Sequence, residues 1–294
     1  MNAIFRYFPR HGAGAPPWND TAPVREELFG IERLERHAES LAAAQPVTPT
    51  PPIVPSLYSR FNNNAAALLA AYRASAAELD SGRSVVPAAE WLLDNYHIVQ
   101  EQIREIRDDL PPGYYRQLPK LADGPFAGYP RVFGLSWALV AHTDSRVEPE
   151  SLRRFIAAYQ SVQPLTIGEL WAVVVTLRIV LIENLRRLAD QMTAGRKERA
   201  DADALADRLL ANVNAQSVLQ TDIATRSPKP LSEPFAGQLA KRLRDLDPTT
   251  TPALGWLEER LARQGTSIEE LVQHVQRRQG ASSVTTTLAF ISSI

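Results

Sequence analysis

The sequence contains no cysteine and carries almost no net charge. Its 294 residues include 32 Lys and Arg against 33 Asp and Glu, which leaves a formal charge of −1 at pH 7. The absence of cysteine excludes disulfide bonds and thiolate chemistry, and it is compatible with the cytoplasm. Balanced charge gives no reason to expect a polyanionic partner, so we predict no binding to nucleic acid.

An uncharged apolar run of bilayer length is also lacking, as is the apolar core of a signal peptide. The closest candidate is IGELWAVVVTLRIVLI at residues 167–182, which Glu169 and Arg178 interrupt. We therefore predict a buried helix of a water-soluble protein there. Residues 1–22 are rich in glycine, proline and small side chains, and we predict that they form a flexible leader.

Motifs of nucleophilic catalysis and phosphate binding are weak. No glycine-rich phosphate loop follows a predicted strand, and Pro125 separates Gly124 from Gly128. The run HTDS at residues 142–145 has the residue types of a hydrolytic triad, but neighbouring residues at a helix end cannot converge on one reacting atom. This spacing favours turn and cap chemistry.

Two further patterns could hold a metal or move a proton. Asp201 and Asp203 have the spacing with which many glycosyltransferases bind a metal, but they lie at a predicted helix start, where acidic side chains favour the helix dipole. His97 and Glu101 lie one helical turn apart, without a second ligand pair nearby in the sequence. We interpret all four as structural, and we predict no catalytic residue and no metal site in this chain.

Helical periodicity is what the sequence does contain. Apolar residues recur at spacings of three and four, with cap signals at the Asn62–Asn64 cluster, at Pro87, and at Thr166 with Glu169. Gly195 is expected to end the helix that Thr166 opens. The predicted helices cover residues 24–45, 62–80, 87–110, 132–142, 150–163, 166–192, 196–212, 234–246, 251–263 and 267–279. The run at 132–142 is short enough to be a buried strand instead, and its helical surroundings favour the helix. No sheet is predicted, so the fold class is all-α, a bundle of about eight to ten helices.

A long loop at residues 110–130 interrupts these helices. Its prolines and glycines prevent regular structure, but its tyrosines and other apolar side chains are too many for a disordered linker. We predict an ordered Pro/Gly/Tyr loop that contacts a substrate or another domain. The candidate residues, on the loop and its flanks, are Arg104, Arg107, Tyr114, Tyr115, Arg116, Lys120, Tyr129 and Arg131. The alternative is that nearby acidic residues neutralise these cations in surface pairs.

Composition also suggests how the chain is divided. The main helical domain is predicted at residues 23–227, including a proline-rich extended spacer at 46–55. A second proline-rich connector leads to a smaller helical subdomain at 228–280. Residues 281–294 change abruptly to Ser, Thr and β-branched side chains, which indicates a tail or a truncated edge.

The sequence resembles one family over residues 24–280. The runs that carry the resemblance are EQIREIRDDLPPGYYRQLPKLADGPFAGYPRVFGL, WALVAHTDSR and QPLTIGELWAVVVTLRIVLIENLRRLA. They closely resemble the N-terminal region of bacterial cyclic β-1,2-glucan synthases. The resemblance implies the cytoplasmic, helical leading part of a large inner-membrane glucosyltransferase.

The same resemblance implies partners and cofactors, although only for the full-length enzyme. In that family a membrane-embedded glycosyltransferase domain polymerises UDP-glucose with the help of a divalent metal, and this domain is the expected partner, with glucan as a possible second one. No run here resembles the transferase's metal-binding motif, so the chain alone is predicted to be inactive and to need no cofactor.

Three hypotheses follow. The first is a docking or scaffolding module of such a synthase, and the second is a free-standing helical interaction or regulatory protein. The third is an autonomous enzyme that uses Asp201 and Asp203.

Overall fold

The helices predicted from periodicity dominate the computed structural model, which describes residues 21–82, 85–109, 111–211, 230–244 and 251–271. Over these residues the regular secondary structure is helical apart from one two-stranded sheet, which confirms the all-α class. The helices are α1 Ile31–Ala44, α2 Leu57–Asp80, α3 Pro87–Asp109, α4 Pro112–Gln117, α5 Arg131–Thr143, α6 Pro149–Val162, α7 Ile167–Ala211, α8 Glu233–Arg244 and α9 Thr251–Ala262. The strands are β1 Val47–Thr48 and β2 Lys120–Leu121.

The first helix is shorter than predicted, because residues 24–29 are not helical. The backbone N–H groups of Glu26 and Phe29 donate to the carbonyl oxygens of Ala141 and His142, at 2.9 and 3.0 Å. Gly30 then caps α1 in an extended conformation. The segment is amphipathic enough to read as a helix, but hydrogen bonds to the end of α5 hold it extended.

The predicted cap at residues 62–64 is also wrong. Helix α2 begins at Leu57, after Ser56, so the three asparagines lie inside it. Asn64 is buried and donates to the Glu183 carboxylate at 2.6 Å. A polar residue inside the helix is explained by this distant partner, which the local sequence does not reveal.

The proline-rich spacer and the long loop meet in the small sheet. Strand β1 pairs antiparallel with β2, with Val47 opposite Leu121. Gly128 adopts φ +85°, and a Cβ atom there would lie 2.6 Å from the Pro52 carbonyl oxygen, so only glycine fits. The described part of the loop is ordered, as predicted, but the expectation that its prolines prevent regular structure is wrong. It contains β2 and the short helix α4, which tolerates Pro112 because that residue lies in the first helical turn. The sheet was not predicted, because each of its strands is two residues long, which is too short to show an alternation of apolar and polar residues.

Helix α5 is buried along nearly its whole length and ends in a left-handed turn. Asp144 and Ser145 have φ values of 50° and 64°, and the Ser145 N–H donates to the Val140 carbonyl at 3.1 Å. The turn and cap role predicted for residues 142–145 is confirmed.

Helix α7 runs for 45 residues, through the position where a stop was predicted. Its capping box is confirmed, because the Glu169 N–H donates to the Thr166 hydroxyl at 3.2 Å and the Glu169 carboxylate accepts from the Thr166 N–H at 2.9 Å. Gly195 does not end the helix. A Cβ atom there would lie 3.4 Å from Pro234, so the glycine permits close packing.

The chain forms two units, which meet at Asp190 and Gln191 within α7. The division predicted at residues 227 and 228 lies outside the described residues and stays a prediction; within them, the end of α7 packs with the C-terminal helices. That second core includes Leu205, Phe235 and Leu257. Residues 1–20, the tail at 281–294 and most of the helix predicted at 267–279 lie outside the described residues.

Candidate functional site

Arg131 holds the end of the loop against the start of α7. Its side chain is buried, and the guanidinium donates to both Glu169 oxygens at 2.5 and 2.7 Å and to the Pro164 carbonyl at 2.8 Å. The hydrogen bonds that Arg131 donates to the Glu169 carboxylate raise the pKa of Arg131. Glu169 is fully buried and is also the capping residue of α7, so this pair is a structural anchor.

Two tyrosines of the loop face inward. Tyr129 is 2% exposed, with its ring 5.4 Å from that of Phe133. The Tyr115 hydroxyl is buried without a hydrogen-bond partner in the described part of the chain, and burial raises its pKa well above the usual value. These rings contribute to the core beneath the loop.

The exposed cations of the predicted site lie on two different helices. On α3, Arg104 faces Glu101 at 3.8 Å, and Arg107 donates to the Asn62 side chain at 3.2 Å. Arg116 is exposed on α4. No hydrogen bond or ion pair within the described ranges joins these three arginines to one another, and the predicted contact with a substrate or domain stays a prediction.

Lys120 differs from the arginines because its amine is partly desolvated. The side chain is half-buried on β2, its Nζ donates to the Tyr115 carbonyl at 2.8 Å, and the same atom lies 4.5 Å from the centre of the Tyr115 ring. Burial lowers the pKa of Lys120 to about 8.

An apolar patch is exposed at the first turns of α7. It consists of Ile167, Leu170 and Trp171, which are 76%, 37% and 77% exposed. The spacing of three and four places them on one helical face. The Tyr114 hydroxyl donates to the Gly168 carbonyl between them, so the loop borders this apolar patch. Our prediction of burial for residues 167–182 missed this face, although the same spacing could have revealed it.

The central part of α7 carries a buried charge cluster around Glu183. Arg60 donates to both Glu183 oxygens, at 2.6 and 2.9 Å, and Arg187 and Asn64 donate at 2.9 and 2.6 Å. Burial alone would raise the pKa of Glu183, but the charges and hydrogen bonds of Arg60 and Arg187 hold it at about 2. The carboxylate is therefore permanently ionised and joins α2 to α7.

A second polar cluster surrounds His142 at the end of α5. The His142 Nδ1 atom lies 2.7 Å from the Glu27 carbonyl oxygen, which can only accept, so Nδ1 carries a proton and Nε2 faces Glu26 at 3.5 Å. Burial raises the pKa of Glu26 to about 7 and lowers that of His142. His37 packs edge-on against His142, and burial lowers its pKa to about 4.

The candidate metal and proton-transfer residues do not form a site. Asp203 accepts from the Gln238 side chain at 2.8 Å, and His97 is exposed on α3. Across the described ranges, no group of three or more acidic or histidine residues could hold a metal ion. The same residues include no helix long and apolar enough to cross a membrane.

Comparison with known proteins yields one similarity at high identity. The chain is 38% identical over 269 residues to the cyclic β-(1,2)-glucan synthase NdvB of Rhizobium meliloti strain 1021. The predicted resemblance is confirmed. The match covers 91% of this chain but 9% of that synthase, so the chain spans less than a tenth of its relative's length. No family model matches the sequence.

Proposed function

We propose that this chain is a docking module of a cyclic β-1,2-glucan synthase, with the catalytic steps carried out by other parts of that enzyme. The similarity to NdvB supports the parent activity, since it extends over nearly all of this chain. In this proposal the module lies in the cytoplasm at the inner membrane. Its partner is a membrane-embedded glycosyltransferase domain that polymerises UDP-glucose with a divalent metal.

The apolar patch is the observation that carries this proposal. An exposed tryptophan next to an exposed isoleucine leaves apolar surface in water, and burial of such residues stabilises a protein interface. Trp171 is the expected energetic centre, because large aromatic side chains dominate interface hot spots.

The patch stands on a rigid support. Arg131 and Thr166 fix the first turn of α7 through Glu169, and Tyr114 ties the loop to the same turn. A surface held in this way loses little conformational entropy on binding. The buried charges of Arg131 and Glu169 neutralise each other, which supports a structural role for this pair at the start of α7.

The direct test is reconstitution. The chain is mixed with the purified membrane-embedded remainder of a cyclic glucan synthase, and both the dissociation constant and incorporation of glucose from UDP-glucose are measured. We expect incorporation only with both components. Trp171→Ser should weaken binding about thirtyfold, which corresponds to a hot spot of about 2 kcal/mol.

Leu79→Ser is the matched control, because Leu79 is 54% exposed on α2 of the same unit but lies outside the patch. It should bind as the unmodified chain does. Glucose transfer by the chain alone would disprove the proposal, and so would equal binding by the Trp171 and Leu79 variants. A free-standing interaction protein would show neither binding nor stimulation in this assay.

A further inference from the structure

The proline-rich spacer has the periodicity of a polyproline II helix. Prolines recur every three residues at positions 46, 49, 52 and 55, with one more at position 51. A polyproline II helix has three residues per turn and no internal hydrogen bonds, so residues three apart lie along one edge. The spacer therefore has three edges, and the structure shows which of them face solvent.

Two of these three edges are exposed. The segment between β1 and α2 lies in neither a helix nor a strand, and every third residue, namely Thr48, Pro51 and Val54, is half-buried. The two residues after each of these are exposed, and Ile53 is 103% exposed. Ser56, which caps α2, has φ −59° and ψ 134°, close to polyproline II values. The proline ridge is formed by the exposed residues Pro49, Thr50, Pro52, Ile53 and Pro55.

The proline ridge is held from beneath and at both ends. On its half-buried edge Val54 packs against Gly128, where a Cβ atom would lie 2.8 Å from Val54 Cγ1. At one end the Thr50 N–H donates to the Thr48 hydroxyl at 3.2 Å, and at the other Leu57 opens α2 and is 1% exposed. A segment fixed in this way loses little conformational entropy when a partner binds it.

The backbone of the proline ridge excludes a strand as the partner. Among residues 49–55 only Thr50, Ile53 and Val54 have an N–H group, and that of Thr50 already donates to Thr48. No backbone hydrogen bond within the described ranges is accepted by a carbonyl oxygen of residues 49–55. A strand needs both donors and acceptors along its neighbour, whereas this edge presents mainly acceptors. The partner must therefore supply N–H or O–H donors.

The proline ridge is also uncharged. No acidic, basic or histidine residue occurs between positions 40 and 59. Ion pairs therefore cannot recognise it, and apolar contact with the proline rings and Ile53 must do so. Tyrosine and tryptophan side chains meet both requirements, because their rings pack on proline while the phenol O–H or indole N–H donates to a carbonyl oxygen.

We propose that the proline ridge binds a groove lined by Tyr and Trp side chains in the membrane-embedded remainder of the synthase, an inference that rests on the proposed function. Three residues of polyproline II rise about 9 Å, so the aromatic slots of this groove are about 9 Å apart. One slot takes Pro49 with Thr50, and the next takes Pro52 with Ile53. The apolar patch belongs to the same unit as the ridge, so the module has two contact surfaces for one partner.

The test places a photo-crosslinker at the centre of the ridge. The intact chain, with Ile53 replaced by p-benzoylphenylalanine, is mixed with the purified membrane-embedded remainder and irradiated, and cross-linked peptides are identified by mass spectrometry. The control carries the same cross-linker at Leu79, which is 54% exposed on α2 but lies outside both surfaces. We expect cross-links from position 53, and not from position 79, to partner peptides that contain Tyr or Trp.

Binding by variants is the second measurement. The double variant Pro52→Ala, Ile53→Ser removes the contacts of one turn and should weaken binding about tenfold. Its thermal unfolding should be unchanged, because both side chains are exposed. Pro149→Ala is the matched control, since Pro149 is an exposed proline in the first turn of α6, and this variant should bind as the unmodified chain does.

The outcomes separate this inference from the proposed function. Equal binding by the ridge and Pro149 variants, while Trp171→Ser still weakens binding, would overturn the ridge inference and leave the docking role standing. Cross-links from position 53 to a second copy of this chain, to lipid, or to partner peptides without Tyr and Trp would also overturn it. If the unmodified chain did not bind the remainder at all, both proposals would be wrong.

Discussion

Glu183 and Glu26 are both withdrawn from water in the first unit, yet their surroundings drive them to opposite charge states. The Glu183 side chain is 1% exposed and is held by three arginines and an asparagine, with a pKa of about 2. The Glu26 side chain is 14% exposed and faces His142 at 3.5 Å, with a pKa of about 7. The more deeply buried carboxyl is the one that stays ionised, so the charged donors around it, and not burial alone, decide the outcome.

The two carboxyls therefore respond to pH in opposite directions. The folded pKa of Glu183 lies below the ordinary value, so its contribution to stability is present above about pH 4.5 and is lost as the pH falls toward 2. The folded pKa of Glu26 lies above it, so its contribution is present at low pH and is lost as the pH rises from about 4.5 to 7. The Glu183 carboxylate is thus ionised at neutral pH, whereas the Glu26 carboxyl keeps its proton up to about pH 7.

Removal of the Glu183 carboxylate should have the largest effect. Glu183→Ala leaves Arg60, Arg186 and Arg187 without their shared anion, and we expect a loss of about 3–5 kcal/mol in the free energy of unfolding. Urea denaturation at pH 7 measures it. Glu150→Ala removes an exposed pair with Arg153 and should cause no measurable change. A loss below about 1 kcal/mol at Glu183 would contradict the cluster's structural role.

The Arg131–Glu169 pair extends the comparison to a third buried carboxylate. Arg131→Met leaves the Glu169 charge buried with only its Thr166 contacts, and we expect a loss of about 3 kcal/mol in urea denaturation. The double variant Arg131→Met, Glu169→Leu carries no buried charge. It should lose only about 1 kcal/mol, the worth of the helix cap. Equal losses in the single and double variants would show that the unpaired charge is not the cause.

Glu26→Gln should change how stability depends on pH. In the unmodified protein the lowered pKa values of His37 and His142 make stability rise as the pH increases toward 6.5, while Glu26 opposes this rise. Without Glu26 the rise should be steeper, by on the order of 2 kcal/mol between pH 4.5 and 7. Thermal unfolding at several pH values measures it, with the exposed Glu39→Gln as a control. Parallel curves would contradict the assignment.

The smallest expected effect on stability lies at the apolar patch. Trp171 is 77% exposed and has none of the buried donors that define the two clusters. Trp171→Ser should therefore change the free energy of unfolding by less than about 0.5 kcal/mol, although it weakens docking. A loss above about 2 kcal/mol would mean that Trp171 belongs to the core and not to an interface.

Helix type and approximate position were predictable wherever one face of the chain is apolar, as for α3 and α6. The capping box of Thr166 and Glu169 was predictable because all of its parts are local. Contacts between residues far apart in the sequence were not predictable. The extended segment before Gly30 depends on carbonyls of α5, and the buried position of Asn64 depends on a carboxylate 119 residues away. Burial of the candidate-site residues was not predictable for the same reason, since nothing near Arg131 or Tyr129 in the sequence indicates that both are buried.

The close approach of Gly128 to Pro52 also bears on the order of folding. Strand β1 and the spacer precede α2 and α3, whereas β2 and Gly128 follow them, so these two long helices and the short α4 separate the partners along the chain. Contacts of such high sequence separation lose more loop-closure entropy than those within a helix pair. Helices α2 and α3 should thus associate first, and the sheet should close over them late. Hydrogen-exchange labelling during refolding would then protect the Ala122 amide, which donates to Pro46, after the amides of α3.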